Sequence, residues 1–244
     1  FRSADKMCNW ELSGSETVRK NAMNVSHLLR RYEAGTTQFQ GVELPRANLV
    51  RVTLIAVNLS QANLMGADLQ RAFLTKSTLS RAKLNWAKLN SSKLSDIQAI
   101  AVDLTKAQLC GVFAVKANLA LSQLSGANLQ GANLRGANLQ GANLRGANLQ
   151  GANLRGANLQ GADLNWANLS GARLIDSRLD PDQLTHANLN GTYINRHDVS
   201  VLNTSSPCLE NHLDHNLRTA RWVGETSGQR KPKASPLQNS LMVL

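Results

Sequence analysis

Residues 127–161 read ANLQG-ANLRG-ANLQG-ANLRG-ANLQG-ANLRG-ANLQG, a five-residue unit that repeats with no residue out of step. A unit this short cannot enclose a core of its own, so its apolar side chains can be buried only against neighbouring units. The stretch therefore predicts a solenoid, in which stacked repeats build one continuous core.

The same five-residue register extends in both directions, from Thr37-Gln38-Phe39 to His197-Asp198-Val199. A large residue lies at the centre of each pentad, a small or β-branched residue lies two positions before it, and a polar residue usually lies between them. The centre is leucine in all of the 33 pentads except five, whose centres are Phe39, Ala99, Ala114, Ile194 and Val199.

This spacing favours an extended backbone over a helix. In an extended chain the alanine and leucine two apart point to one side and the intervening asparagine points to the other. The last two residues of each unit, often ending in glycine, can then turn a corner. In an α-helix a five-residue period would advance each leucine by about 500° and spread the leucines around the surface. Leucine-rich repeats do not fit, because their period is about 20–29 residues.

Tandem A(N/D)LXX units resemble the pentapeptide-repeat family, and the resemblance covers about two-thirds of the chain. It implies an all-β fold: a right-handed, four-sided parallel β-helix with four pentads in each coil, so that positions 20 apart are stacked. The period alone indicates flat sides but leaves their number open; the number four comes from the resemblance. A helix that leads into the repeats is also similar to cyanobacterial members.

The segments around the repeats have a different character. Residues 1–22 are polar and aperiodic, which predicts a disordered N-terminal extension, and Met23 is a candidate natural start. Residues 23–36 predict a capping helix with Asn24 or Ser26 as N-cap and Gly35 as its stop. Its apolar face is formed by Val25, Leu28, Leu29 and Tyr32. Such a helix would cover the open edge of the first coil.

The repeat block is assigned to residues 37–200, followed by a C-terminal cap at 201–223 and a disordered tail at 224–244. Ser206-Pro207 is a good helix start, and leucines at 209, 213 and 217 recur every four residues. We therefore expect a second capping helix over about 207–221.

Composition bounds the functional classes. The formal net charge of +11 favours anionic partners. The three cysteines, Cys8, Cys110 and Cys208, are far apart and odd in number, which argues against a disulfide framework. The sequence has no apolar run of membrane-spanning length and no secretory leader pattern, so we expect a cytoplasmic protein without a membrane partner.

Residues with catalytic or metal-binding patterns are few. Cys208, His212 and His215 would share one face of the second helix, but a fourth metal ligand is not evident, and exposed polar residues on a cap are the favoured interpretation. No P-loop, HExxH or Ser-His-Asp order occurs. We expect no enzyme activity, no cofactor and no metal.

One predicted side of the solenoid stands out. With four pentads per coil, the side whose centres run from 54 to 194 combines most of the excess positive charge with three aromatic residues at outward positions. Its candidate partner-binding residues are Phe73, Lys76, Lys93, Phe113, Lys116, Arg173, Tyr193 and Arg196. Phe73, Lys93 and Phe113 would occupy successive coils, where a cation–π contact can form.

Competing interpretations remain for this side. The aromatic rings can extend intramolecular stacking, and the charges can be solvated. Ile97-Gln98-Ala99 and Val112-Phe113-Ala114 depart from the repeat, and a bulge there would shift the columns. The identical repeats look like a spacer, so a specific site is expected in the irregular coils at 52–120 or 172–196.

The leading functional hypothesis is a non-catalytic scaffold that presents this basic and aromatic side to a protein partner. A regulatory role is one option for such a scaffold, and the sequence does not identify the partner. The alternative is binding of nucleic acid or another polyanion. Gyrase binding by DNA mimicry, which the resemblance also brings in, ranks last because mimicry needs a negative rod and this one is positive.

Overall fold

The computed structural model describes residues 23–195 and 219–223. Its regular elements are helix α1 (Val25–Glu33), a 3₁₀ helix (Pro181–Leu184) and strands β1 (Tyr193–Asn195) and β2 (Arg221–Val223). Between α1 and the 3₁₀ helix, single bridge residues alternate with turns.

The repeats form a right-handed, four-sided parallel β-helix, as predicted. Parallel bridges join each outward middle residue to the one 20 positions later, from Gln38–Asn58 to Arg173–Tyr193. Because a bridge residue occurs every five positions, each coil contains four pentads and contributes one rung to each of four sides. The number of sides, which the period alone left open, is thus four.

Each corner is a turn closed by a backbone hydrogen bond. The N–H of Ala132 donates to the carbonyl of Leu129 at 2.9 Å, and the third residue of that turn, Gly131, has φ +64°. Glycine adopts this left-handed conformation without a Cβ clash, which explains its place at the end of the repeat. Elsewhere the ladder holds other residues in the same conformation, including Trp86 at φ +57°.

Inward and outward positions have separate roles. The inward alanines and leucines form one core, in which Leu144 and Ala147 are fully buried. Outward asparagines hydrogen-bond along the stack: Asn148 Nδ2 donates to Asn128 Oδ1 at 3.3 Å, and Asn168 repeats this contact with Asn148. Asn148 Oδ1 also accepts the N–H of Gln150 at 3.2 Å, so the asparagine both links coils and fixes the corner.

The irregular pentad at 97–99 keeps the register. Gln98 bridges Thr78 on one side and Asn118 on the other, so no bulge displaces the column. Both Ile97 and Ala99 point inward and are buried, and together they supply the same number of side-chain carbons as the usual alanine–leucine pair. A small apolar cavity of about 20 Å³ lies beside them.

The uniform succession of rungs expected up to Val199 is interrupted at Pro181–Leu184, where a 3₁₀ helix replaces a rung. Pro181 occupies the corner position that elsewhere has positive φ. The proline ring holds φ in the negative region and so excludes that corner conformation. Gln183 compensates: its side-chain Nε2 donates to the carbonyls of Ala162 and Leu159, in place of a backbone N–H. The register resumes at Asn188, which bridges Asn168.

Helix α1 closes the first coil. Asn24 Oδ1 accepts the N–H of His27 at 2.8 Å as N-cap, and Gly35 follows the helix with φ +89°. Leu28 is fully buried in the repeat core, and Tyr32 Oη accepts the N–H of Ile55 at 3.1 Å. The helix is thus joined to the coil by both apolar packing and a hydrogen bond.

At the other end, β2 adds a rung to the side that carries β1, with Tyr193 opposite Arg221. The predicted helix over about 207–221 lies mostly outside the described residues, but its end is wrong, because 219–220 are turn and bend and Arg221 begins a strand. The predictions of disorder for 1–22 and 224–244, and the metal candidates Cys208, His212 and His215, lie outside the described residues. No helix in the described ranges combines the length and apolar character that a membrane crossing requires.

Candidate partner-binding face

The central feature of the predicted side is a stack of three outward residues, which we call the aromatic–basic column: Phe73, Lys93 and Phe113. Parallel bridges join Phe73 to Lys93 and Lys93 to Phe113, so the three occupy consecutive rungs. The rings of Phe73 and Phe113 belong to side chains that are 44% and 41% exposed. Most large apolar residues of the repeats are buried, so two exposed phenylalanines on one ladder are an exception.

Lys93 leans toward one of its two aromatic neighbours. Its Nζ lies 3.1 Å from the centroid of the Phe113 ring, a cation–π contact. The ammonium group is thereby held against the surface of the rod. The Lys93 side chain would therefore lose less conformational entropy when a partner binds it.

A second group lies further along the same side. Arg173 bridges Tyr193, and Tyr193 bridges Arg221 of β2. Arg221 Nη1 donates to Tyr193 Oη at 2.8 Å, and its guanidinium lies 5.4 Å from the ring centroid. The repeat register could not reveal Arg221, because its separation from Tyr193 along the chain is 28 and not 20. Arg196 lies outside the described residues.

The predicted residues therefore fall into two groups and not into one patch. Asn133 and Asn153 occupy the two rungs between Phe113 and Arg173. Lys76 and Lys116 lie in the adjacent corner column, with φ +60° and +55°, and not on the flat side.

The corner column beside this side contains a groove that the sequence did not suggest. Its successive residues are Lys116, Gly136, Gly156 and Asp176, and the two glycines leave an open groove of about 580 Å³. The groove is lined by Val115, Lys116, Arg135, Gly136, Arg155, Gly156 and Asp176. We call it the glycine groove.

One ion pair closes the far end of the glycine groove. Arg155 Nε lies 3.2 Å from Asp176 Oδ2, and both side chains are about half exposed. Asp176 Oδ1 also accepts a hydrogen bond from Asn195 Nδ2 at 2.9 Å. Because the pair is exposed, its attraction is weak, and another anion can compete with Asp176 for Arg155.

The exposed tryptophans lie away from this side, in one other corner column. Trp86 and Trp166 are 54% and 58% exposed. Trp166 stacks on His186 with ring centroids 6.1 Å apart, and the Arg145 guanidinium lies 3.8 Å from its ring centroid. The Arg145 guanidinium is thus already in contact with another side chain of the same chain.

Comparison with known proteins agrees with this architecture. A model of pentapeptide repeats matches residues 37–71, 58–96, 103–141 and 137–176, with eight copies in all. The chain belongs to the pentapeptide-repeat family. Members of this family are structural or interaction scaffolds and are generally not enzymes. No match was found among curated proteins.

Several solved pentapeptide-repeat structures are similar. HetL, involved in heterocyst differentiation regulation in the cyanobacterium Nostoc sp. strain PCC 7120, is 31% identical over 71% of this chain and 88% of its own, with a TM-score of 0.39. Rfr23 from the cyanobacterium Cyanothece 51142 is 28% identical over 67% and 99%, with a TM-score of 0.28. QnrB1, a plasmid-mediated fluoroquinolone resistance protein, is 19% identical over 63% and 80%, with a TM-score of 0.36.

Proposed function

We propose that this pentapeptide-repeat protein is a non-catalytic scaffold whose aromatic–basic column binds a protein partner. The observation that carries the proposal is the pair of exposed phenylalanines, Phe73 and Phe113, on either side of Lys93 in one β-ladder. Aromatic residues are enriched in the cores of protein interfaces, and a few large side chains usually supply most of the binding energy.

These rings would supply part of the free energy of binding a partner. A phenylalanine that is about two-fifths exposed offers roughly 80–90 Å², and burying that area contributes roughly 2 kcal/mol. Two rings therefore contribute roughly 4 kcal/mol before the cost of association is subtracted. Because the ladder already fixes the side-chain spacing, little ordering is needed on this side of the interface.

The second group, Arg173, Tyr193 and Arg221, fits at the edge of the same interface. Phe113 and Tyr193 are four rungs apart, which is about 19 Å along the rod. A standard interface of about 800 Å² on each partner spans a comparable distance. Arg173 and Tyr193 would then contribute polar contacts around the aromatic–basic column.

Binding of a polyanion such as nucleic acid is the second candidate, and the net charge of +11 favours it. Against it, Asp96 lies between Lys76 and Lys116 in the corner column, and Asp176 pairs with Arg155. A long polyanion on this side would meet a carboxylate at both places.

The test compares partner capture by three immobilised forms of the full chain in lysate of the source organism. The forms are wild type, Phe73→Ala/Phe113→Ala, and the control Trp86→Ala/Trp166→Ala, which removes two exposed aromatic residues from a corner column away from this side. Captured proteins are quantified by mass spectrometry. We expect a set of proteins that wild type and the control retain and the phenylalanine variant loses. An identical set for all three forms would refute the aromatic–basic column as the binding site.

A further inference from the structure

The glycine groove is a second recognition feature beside the aromatic–basic column, and it arises from the repeats that look like a spacer. The decapeptide ANLQG-ANLRG repeats every ten residues, whereas a coil spans two such decapeptides. Arginines therefore fall on two opposite sides and glutamines on the other two. Arg135 and Arg155 flank the glycine groove, whereas Arg145 lies on the opposite side.

The floor of the groove lacks side chains for two rungs. A Cβ built on Gly156 would meet nothing within 4 Å, and one built on Gly136 would meet only Lys116 Cγ, at 3.6 Å. Lys116 thus extends over the first glycine from the N-terminal end. The distance from the rung of Lys116 to that of Asp176 is three rungs, or about 14 Å.

Three cations converge on this floor. Among the described residues, neither Lys116 nor Arg135 forms an ion pair, and Arg155 forms only the exposed contact with Asp176. The groove beside Leu121 is lined by Gln140 and Gln160 and has no cation among its described lining residues. The groove floored by Gly151, Gly171 and Gly191 contains Arg221, but this arginine is hydrogen-bonded to Tyr193 Oη. Arg145, on the side opposite the glycine groove, is stacked on Trp166. Unengaged positive charge and an open floor therefore coincide at the glycine groove.

We infer that the glycine groove binds a short, extended, acidic segment of a protein partner, through carboxylates that contact Lys116, Arg135 and Arg155. In an extended peptide, side chains on one face are about 6.6 Å apart, so a groove of about 14 Å accommodates two or three alternate carboxylates. Arginine binds a carboxylate in a bidentate, charge-assisted geometry, and the missing Cβ atoms admit the peptide backbone. This inference rests on the proposed scaffold function and names the chemistry of its partner.

The groove favours a peptide over a nucleic acid because its positive charge is local. Asp96 lies one rung before Lys116 in the corner column, and Asp176 lies at the other end. A strand of nucleic acid that continued past either end would bring phosphates against a carboxylate. A peptide can place a neutral or basic residue there, and Val115 in the lining offers an apolar contact.

The test is fluorescence anisotropy of the full chain with a fluorescein-labelled peptide of four Gly-Glu repeats, in about 50 mM salt. A peptide of four Gly-Gln repeats and a single-stranded DNA of mixed sequence serve as comparison probes. We expect saturable binding of the Gly-Glu peptide, weakened about tenfold by Arg135→Gln/Arg155→Gln. The control Arg145→Gln changes the same pentapeptide on the opposite side and is expected to weaken binding by less than about twofold.

A second pair of variants tests the open floor without changing charge. Gly156→Asn places a side chain in the groove, and Gly146→Asn does the same at a different corner where a Cβ also meets nothing. Asparagine tolerates the left-handed backbone that both positions require. We expect Gly156→Asn to weaken peptide binding and Gly146→Asn to leave it unchanged.

The inference is overturned if the Gly-Glu peptide does not bind, or if Arg145→Gln weakens binding as much as Arg135→Gln/Arg155→Gln does. It is also overturned if the DNA binds more tightly than the peptide through Arg135 and Arg155. Its failure is distinct from that of the proposed function. Loss of partner capture by Phe73→Ala/Phe113→Ala without peptide binding would refute the groove alone. Peptide binding with unchanged capture would refute the aromatic–basic column alone.

Discussion

The irregular pair Ile97 and Ala99 provides a quantitative test of how the core is filled. The side chains share the interior of one pentad, with isoleucine where alanine is usual and alanine where leucine is usual. The perturbation is the exchange Ile97→Ala/Ala99→Leu, which restores the usual pair while keeping the number of side-chain carbons.

Each single substitution is expected to destabilise the protein. Ile97→Ala removes three buried carbons, which costs about 2.4 kcal/mol of transfer free energy, and the cavity left behind raises the loss to about 3 kcal/mol. Ala99→Leu adds three carbons beside a cavity of only about 20 Å³, and overpacking of this kind costs about 1–3 kcal/mol. The exchange conserves volume, so its expected cost is below about 1.5 kcal/mol.

The assay is equilibrium unfolding in guanidinium chloride, followed by far-UV circular dichroism, for wild type, both single variants and the exchange. The double-mutant cycle should give a favourable coupling free energy of about 3 kcal/mol between the two positions. The reverse exchange in a regular pentad on the same side, Ala157→Ile/Leu159→Ala, is the matched control and should show coupling of the same sign. If the effects of the single variants simply add in the exchange, the two side chains do not share one interior volume and the reasoning fails.

Three further substitutions and one binding measurement have defined expected outcomes. Ser122→Ala should stabilise the fold by about 1 kcal/mol in the same unfolding assay, because Ser122 Oγ is buried without a hydrogen-bond partner within residues 23–195 and 219–223. Ser77→Ala should destabilise the fold by about that amount, because Ser77 Oγ donates to the Leu54 carbonyl at 2.8 Å and accepts the Val57 N–H. Tyr32→Phe should lower stability by about 1 kcal/mol through loss of the acceptor for the Ile55 N–H, and equal stability of the two proteins would show that apolar packing alone holds α1. A fluorescein-labelled DNA duplex should not bind in about 150 mM salt, and anisotropy that saturates under these conditions would instead support the polyanion function.

The candidate site was predictable only in part. The period and the resemblance placed Phe73, Lys93 and Phe113 in consecutive rungs, and the structure has them there. The glycine groove was missed because the sequence presents Gly136 and Gly156 as ordinary turn residues. Their effect appears only when two corners without side chains are stacked between Lys116 and Asp176.

Some features depended on groups that no periodic pattern encodes. Arg221 joins Tyr193 because strand β2 adds a rung to this side, and its distance along the chain does not follow the register. Lys93 contacts Phe113, although the pattern places it equally near Phe73, because side-chain rotamers are selected by packing in three dimensions.

From the amino-acid order alone follow the extended repeats, the inward alanine and leucine, and the outward asparagine, because alternation along a strand is a local property of the backbone. The closure at four sides belongs to the folded chain, since it depends on how far each corner turns and on whether one coil can hydrogen-bond to the next. The 3₁₀ helix at Pro181–Leu184 shows both influences. Proline excludes the left-handed corner conformation, which is a property of the sequence. The Gln183 side chain can donate the hydrogen bond of the missing rung only because the Ala162 carbonyl lies beside it in the previous coil.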